Sequence, residues 1–158
     1  MTRLLIMGVA GAGKSTLGLA LSQALGWRFL DADDVHTRAA KDKIARGIPL
    51  TEADRSKWLA AIKPIFFDTR ASIVLACSAL RAAHRHMLKP DHLVFLHIEP
   101  ALAHQRLFER RGHFAGPNLV QSQFATLEEP SQGLKLDATM RTDLQVQTIM
   151  DSLSLNPS

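Results

Sequence analysis

A glycine-rich segment between an apolar run and an amphipathic stretch restricts the possible folds of this chain most strongly. Residues 8–15 read GVAGAGKS and match the pattern GxxxxGK[ST] at every fixed position. Residues 4–7 before it are all apolar, and apolar residues recur at three- and four-residue spacing after Thr16. We therefore expect a buried strand, a tight loop and a helix that starts at Thr16.

The same segment has the composition of a phosphate-binding loop. Glycines let backbone N–H groups turn inward around a polyphosphate, and the helix N-terminus adds a partial positive charge. Lys14 can reach the β- and γ-phosphates, and the Ser15 hydroxyl can bind Mg²⁺. A chance glycine turn is the alternative, but the strand, lysine, serine and helix are all in register. The sequence thus predicts a nucleoside triphosphate site, with contacts from Gly8, Val9, Ala10, Gly11, Ala12, Gly13, Lys14, Ser15 and Thr16.

The length and the composition of the chain indicate the number of domains and the compartment of the protein. The 158 residues predict one domain, residues 1–158, that buries roughly 70% of the unfolded chain's surface. No apolar run of about 18 residues predicts a membrane helix, and the early first strand leaves no room for a signal peptide. The single cysteine, Cys77, suits a reducing compartment, so a cytoplasmic protein is expected.

The net charge of +4 is compatible with binding either to nucleic acid or to small anionic ligands. The basic residues are scattered, with no dense basic tail and no aromatic-rich strand that would stack bases. Small anions such as ATP therefore explain the excess better than nucleic acid does.

Strands and helices alternate along the chain, which predicts a parallel sheet with helices on both faces. Loops that follow strands then meet at one edge, where ligands bind. A Thr51–Asp54 capping box introduces one of the helices. The other predicted strands cover residues 28–30, 73–77, 93–98 and 134–136, and the other predicted helices cover 35–45, 100–111, 118–127 and 142–153.

Two carboxylates, Asp31 and Asp33, follow the second predicted strand. Phosphoryl transfer needs one base for the proton of the acceptor hydroxyl, and a carboxylate can also hold Mg²⁺ through water. Both are therefore candidate catalytic residues, and Asp31 is also a candidate metal contact. Asp34 is expected to cap the next helix. The third strand ends in Ala-Cys-Ser rather than aspartate, so the metal depends on Ser15, and Cys77 is expected to be a small buried residue.

Three arginines, Arg106, Arg110 and Arg111, lie on one predicted helix that leads into Gly112-His113-Phe114. They predict a lid, about residues 106–130, that closes over the phosphates and excludes water. A solvated helix end is the alternative, because positive charge is favourable there. The seven histidines show no HExxH pattern or Cys/His ligand set, so no transition-metal site is expected.

Several segments taken in order resemble the small bacterial-type gluconokinases of the shikimate-kinase-like branch of P-loop kinases. The similarity runs from Leu4 to Leu153. It rests on the phosphate loop and on the segments Phe29–Asp31, Lys43–Leu59, Cys77–Arg81, Arg111–Phe114 and Ser122–Pro130. The resemblance implies a three-layer P-loop kinase fold with a five-stranded parallel sheet, a mobile lid and usually a homodimer. It also implies phosphorylation of the terminal hydroxyl of D-gluconate by ATP with Mg²⁺, giving 6-phosphogluconate.

The resemblance also implies roles for individual residues. Arg110 is implied at the nucleotide, Arg111 in catalysis, Asp31 or Asp33 as the base, and Asp33, His36, Arg55, Arg81 and His113 at the sugar acid. The two-pronged guanidinium group of an arginine suits the gluconate carboxylate, but the sequence does not indicate which arginine supplies it.

The chain departs from the family pattern at Ala32, Ala40, Ile44 and His84. Ala40 and His84 bear on substrate choice, because asparagine and tyrosine are usual there and both could bond to sugar hydroxyls. A kinase for another small hydroxy acid, such as shikimate, and a non-catalytic nucleotide-binding regulator remain alternatives. A GTPase is disfavoured because neither NKxD nor DxxG occurs.

Overall fold

The computed structural model describes residues 1–68, 70–111 and 117–158, and within them strands and helices alternate. The strands are β1 (Arg3–Met7), β2 (Arg28–Asp31), β3 (Ile73–Ala76), β4 (His92–His97) and β5 (Leu134–Asp137). The helices are α1 (Lys14–Leu25), α2 (Arg38–Ala45), α3 (Glu52–Phe66), α4 (Ala82–Leu88), α5 (Pro100–Arg111), α6 (Pro117–Thr126) and α7 (Thr142–Ser152). A 3₁₀ turn, Ala32–Val35, follows β2.

The five strands form one parallel sheet in the order β2-β3-β1-β4-β5. Strand β1 is central, and its residues 4–7 are fully buried because helices cover both faces of the sheet. Leu4 and Ile6 pack in a core with α1 and α7, whereas Leu5 and Met7 pack on the other face with α3. The predicted three-layer α/β fold is confirmed.

The region after β2 differs from its prediction. Residues 35–45 do not form one helix, because the chain makes the 3₁₀ turn first and α2 begins only at Arg38. The prediction that Asp34 caps a helix is wrong. Instead, the Asp31 carboxylate accepts from the Asp33 N–H, and the Thr37 hydroxyl accepts from the Ala40 N–H at 3.1 Å. Asp31 therefore caps the 3₁₀ turn and Thr37 caps α2, so residues 35–45 are divided between the two elements.

The start of α1 also differs, since the helix begins at Lys14 and not at Thr16. Gly13 precedes it with φ 95°, a left-handed conformation that glycine adopts without strain. The Thr51–Asp54 capping box is confirmed at the start of α3. Because Lys14 lies in the first helical turn, its backbone N–H joins the positive end of α1.

The strand order places three loops side by side at the carboxyl edge of the sheet. They follow β2, β3 and β1, which are neighbours in the sheet. Residues 8–13, 32–37 and 77–81 therefore converge, although they are far apart in sequence. This convergence brings the phosphate-loop lysine close to the two predicted carboxylates.

Candidate active site

The phosphate loop is held in a shape that requires glycine. Gly11 has φ 87°, and a Cβ atom built there would lie 2.9 Å from the Ala103 carbonyl oxygen. The Lys14 ammonium folds back across the loop and donates to the Val9 carbonyl oxygen at 3.0 Å. Glycine backbone, a helix N-terminus and one lysine are the donor set that a polyphosphate requires, so the loop fits this group.

Lys14 is surrounded by acidic groups at the sheet edge. Burial lowers the pKa of its ammonium group below the ordinary value, while Asp33 and Asp31 oppose that shift. A desolvated ammonium group gains from any further negative charge placed beside it. The environment of Lys14 therefore favours the arrival of an anion at the loop.

Ser15 and Asp31 form an oxygen pair at the start of α1. The Ser15 hydroxyl donates to the Asp31 Oδ2 atom at 2.5 Å, and Asp31 Oδ1 accepts from the Asp33 N–H at 3.0 Å. Among the described residues, no group of three or more His, Cys, Asp or Glu side chains could hold a metal. A magnesium ion at this pair would thus depend on phosphate and water oxygens, which matches the coordination that Mg²⁺ prefers.

A cavity opens beside the phosphate loop and contains several of the predicted site residues. Lys14, Ser15, Asp33, His36 and Arg55 line it. Its other walls come from α5, α6 and the loop after α2, and include Arg110, Ser122, Gln123, Pro49 and Leu50. Carboxylate, ammonium and guanidinium groups thus share one space beside the phosphate loop.

Two charged side chains that line the cavity, Asp33 and Arg55, differ in exposure. The Asp33 side chain is 75% exposed, and the pKa of its carboxyl lies below the ordinary value, chiefly because of its contact with His36. The Arg55 side chain is only 11% exposed. A nearly buried guanidinium that borders a cavity is a strong site for a carboxylate, because little solvent competes there.

Arg55 and Arg81 share one counterion, Glu52, which motif reasoning overlooked. The Glu52 Oε1 atom lies 3.3 Å from Arg55 Nη1 and accepts from Arg81 Nε at 2.9 Å. Arg81 is not among the residues that line the cavity. Glu52 begins α3 and Arg81 precedes α4, so only the tertiary fold brings the two arginines together.

His84 is buried and contacts both Arg81 and Glu52. Its Nδ1 atom accepts from the Arg81 N–H at 3.2 Å, and Nε2 is 3.3 Å from Glu52 Oε2. Burial lowers the pKa of His84, although the contact with Glu52 opposes the shift. Where the family usually has tyrosine, the imidazole caps α4 and touches Glu52. Ala40 is also buried, on α2.

One residue of α5 and one of α6 support the phosphate loop. The Arg106 guanidinium donates to the carbonyl oxygens of Gly11, Ala12 and Ala138, at 3.3, 3.4 and 2.8 Å. Gln123 Oε1 accepts from the Ala10 N–H at 2.6 Å. Arg106 therefore braces the loop, while Gln123, to which sequence reasoning gave no role, holds one of its amide groups.

The remaining predicted residues have separate positions. Arg110 is exposed and borders both the main cavity and a second one, which is lined by Gly11, Thr16, Met140 and Thr142 among others. Arg111 ends α5, its side chain is outside the described part of the structure, and His113 lies outside the described residues. Cys77 is buried, and burial raises the pKa of its thiol to about 12, as expected of a packing residue.

The parallel sheet, the phosphate loop and the adjoining carboxylates define a P-loop kinase. The family model described as shikimate kinase matches residues 10–149. A gluconokinase from Arabidopsis thaliana is 36% identical, over 96% of this chain and 93% of its own. One from Gluconobacter oxydans is 40% identical, over 80% and 75% of the two chains. The crystal structure of a gluconokinase from Sinorhizobium meliloti superposes with a TM-score of 0.87 and 34% identity, over 97% and 91%.

The chain belongs to the gluconokinase family, within the shikimate-kinase-like P-loop kinases. The members of this family are phosphotransferases that act on an alcohol group. In the described part of the chain, no helix has the length and apolar character to span a membrane.

Proposed function

We propose that this protein transfers the γ-phosphoryl group of ATP to the terminal hydroxyl of D-gluconate, forming 6-phosphogluconate and ADP. One observation carries the proposal: the exposed Asp33 carboxylate and the buried Arg55 guanidinium line the cavity that opens onto Lys14 and Ser15. A base, an anion receptor and a phosphate loop in one space suit a hydroxy acid as the acceptor.

The residues take the following roles in this proposal. Arg55 binds the substrate carboxylate, which leaves the far hydroxyl near Asp33. Asp33 accepts the hydroxyl proton as the oxygen bonds to the γ-phosphorus and the bond to the β–γ bridging oxygen breaks. Lys14 stabilises the negative charge on the transferred group. Asp33 suits the base better than Asp31, whose two oxygens are already engaged with Ser15 and the Asp33 N–H.

The nucleotide is proposed to lie along the loop, with residues 8–16 at the phosphates and its base in the second cavity. That cavity shares Gly11, Gly13, Thr16 and Arg110 with the main one, so the two adjoin each other. Ser15, and Asp31 through water, would hold Mg²⁺, which would neutralise negative charge on the phosphates. Arg110, with Arg111 and His113 from the lid, is proposed to complete the site when the segment closes.

A coupled ADP-release assay on a panel of hydroxy acids tests the proposal. We expect Mg-ATP and D-gluconate to give fast turnover, and shikimate to give little. Lys14→Ala should abolish turnover and leave the thermal unfolding curve nearly unchanged, since the lost backbone hydrogen bond is offset by removing a desolvated ammonium group. Fast turnover with shikimate but not gluconate, or a fully active Lys14→Ala variant, would contradict the proposal.

Assembly and location also belong to the proposal. The family resemblance implies a homodimer. The single buried cysteine suits a reducing compartment, which favours the cytoplasm. Light scattering coupled to size exclusion tests the dimer. A mass near 17.4 kDa, that of one chain, would contradict it.

A further inference from the structure

His36 is a buried imidazole held between an indole ring and the proposed base. It stacks on Trp58, with ring centroids 4.1 Å apart and planes inclined by 17°. The Trp58 Nε1–H donates to the Ala32 carbonyl oxygen at 2.6 Å. Trp58 therefore fixes both the imidazole and the backbone next to Asp33, so the relation between His36 and Asp33 is set by packing.

The two ring nitrogens of His36 have different surroundings. Nδ1 is buried and has no hydrogen-bond partner within the part of the chain that the structure describes. A proton there would be a buried donor without an acceptor, which is costly. The neutral ring therefore carries its proton on Nε2, and this nitrogen lies 3.6 Å from Asp33 Oδ1.

The gap between His36 and Asp33 is slightly longer than a hydrogen bond. The His36 side chain is 3% exposed, whereas the Asp33 side chain is 75% exposed. The carboxylate is therefore the partner that can move, and a shift of a few tenths of an ångström closes the contact. Catalytic hydrogen bonds are often long before the substrate binds and shorten in the complex.

We propose that His36 is a positioning residue for Asp33: its Nε2–H, oriented by the Trp58 stack, holds the carboxylate toward the acceptor hydroxyl. The role of the contact in turnover rests on the proposed function, but the contact itself does not. His36 acts through Asp33 and contributes no proton to the reaction.

Several charged groups influence Asp33 besides His36. The His36 contact is the largest cause of its lowered pKa, burial opposes the shift, and Lys14 and Arg110 lower it further. Asp31 precedes it at the end of β2, and Arg55 on α3 lines the same cavity.

A pair of amide variants distinguishes the two nitrogens of His36. In His36→Gln the amide N–H₂ lies near the position of Nε2, whereas in His36→Asn it lies near that of Nδ1. The first readout is the position of the Asp33 carboxylate in crystal structures of the wild type and the two variants. We expect the carboxylate to lie at the side-chain N–H of position 36 in the wild type and in His36→Gln, and to turn away from it in His36→Asn. The same carboxylate position in all three proteins would overturn the proposal.

The second readout is turnover with gluconate. We expect kcat to fall about tenfold in His36→Asn, the order expected for one lost hydrogen bond, with KM changed less than about threefold and with recovery in His36→Gln. Equal kcat in the two variants would contradict the positioning role. A wild type without turnover would instead refute the proposed function, and the crystal structures would still decide on the contact.

Thermal unfolding of each variant shows whether it folds. If His36→Asn does not fold, Trp58→Leu tests the arrangement from the other side, because it removes the ring that stacks on His36. A displaced Asp33 carboxylate in Trp58→Leu would support the proposal, and an unchanged position would contradict it.

Discussion

Arg106 is predicted to stabilise the phosphate loop rather than to contact the phosphates. Its Nη2–H donates to Ala138 at 2.8 Å, and Nη1 is shared between Gly11 and Ala12 at 3.3 and 3.4 Å. Arg106→Met keeps much of the side-chain volume and removes all three contacts. Counting one strong bond from a charged donor and one weak shared bond gives about 2 kcal/mol of lost stability. For a domain of this size that is a fall in Tm of roughly 4–8 °C, measured by circular dichroism.

Arg110 provides the matched control, four residues further along α5. It is exposed, borders both cavities, and makes no hydrogen bond that the described residues reveal. Arg110→Met should therefore leave Tm within about 2 °C of the wild type and weaken ATP binding, measured by calorimetry. An unchanged Tm in Arg106→Met, or an equal loss in both variants, would refute the assignment of the two arginines.

Three further predictions concern the carboxylates and the cysteine. Asp33→Asn should lower kcat at least a hundredfold with little change in ATP affinity, whereas Asp31→Asn should mainly raise the Mg²⁺ requirement; the reverse pattern would exchange their roles. The pKa of Asp54 is lowered to about 2 by Lys43 and the Thr51 cap, so its stabilising effect is present above its ordinary value of 3.8 and is lost as pH falls through about 2. Acid titrations of the wild type and Asp54→Asn should therefore converge toward pH 2, and a constant difference would argue against this. Cys77 should resist iodoacetamide at pH 8 until the protein unfolds, and fast labelling of the native protein would contradict its burial.

The phosphate loop and the alternation of strands and helices were predictable because their signals are local. Four apolar residues, a glycine pattern and an amphipathic helix adjoin one another, so the residues 4–25 needed no tertiary information. Alternation of strands and helices then places every strand-end loop at one edge of the sheet, which predicted that Asp33 would approach Lys14.

The split of residues 35–45 was not predictable from periodicity. Asp31 and Thr37 each satisfy backbone N–H groups nearby, and these caps begin a 3₁₀ turn and a helix where the apolar pattern indicates one helix. Competing local hydrogen bonds decide such boundaries. Aspartate is a common cap, so Asp34 was a reasonable candidate. In the structure, however, the side chains of Asp31 and Thr37 accept the backbone N–H hydrogen bonds of this segment.

The supports of the site were not predictable because they depend on distant residues. Gln123 reaches Ala10 across 113 positions, and Glu52 joins Arg81 across 29. Arg106 and Arg110 have the same residue type on one helix, and only the fold shows that the first turns inward to the loop. Composition reveals which groups are available, whereas packing decides which of them reach the substrate.

The most direct test of the central claim is phosphorus NMR of the product formed from Mg-ATP and D-gluconate. The account predicts one new phosphomonoester signal, split by the two protons of the terminal carbon, that grows as the γ-phosphate signal of ATP declines. Its formation should require Lys14 and Asp33. Release of inorganic phosphate alone, or a phosphate ester at a secondary hydroxyl, would contradict the account.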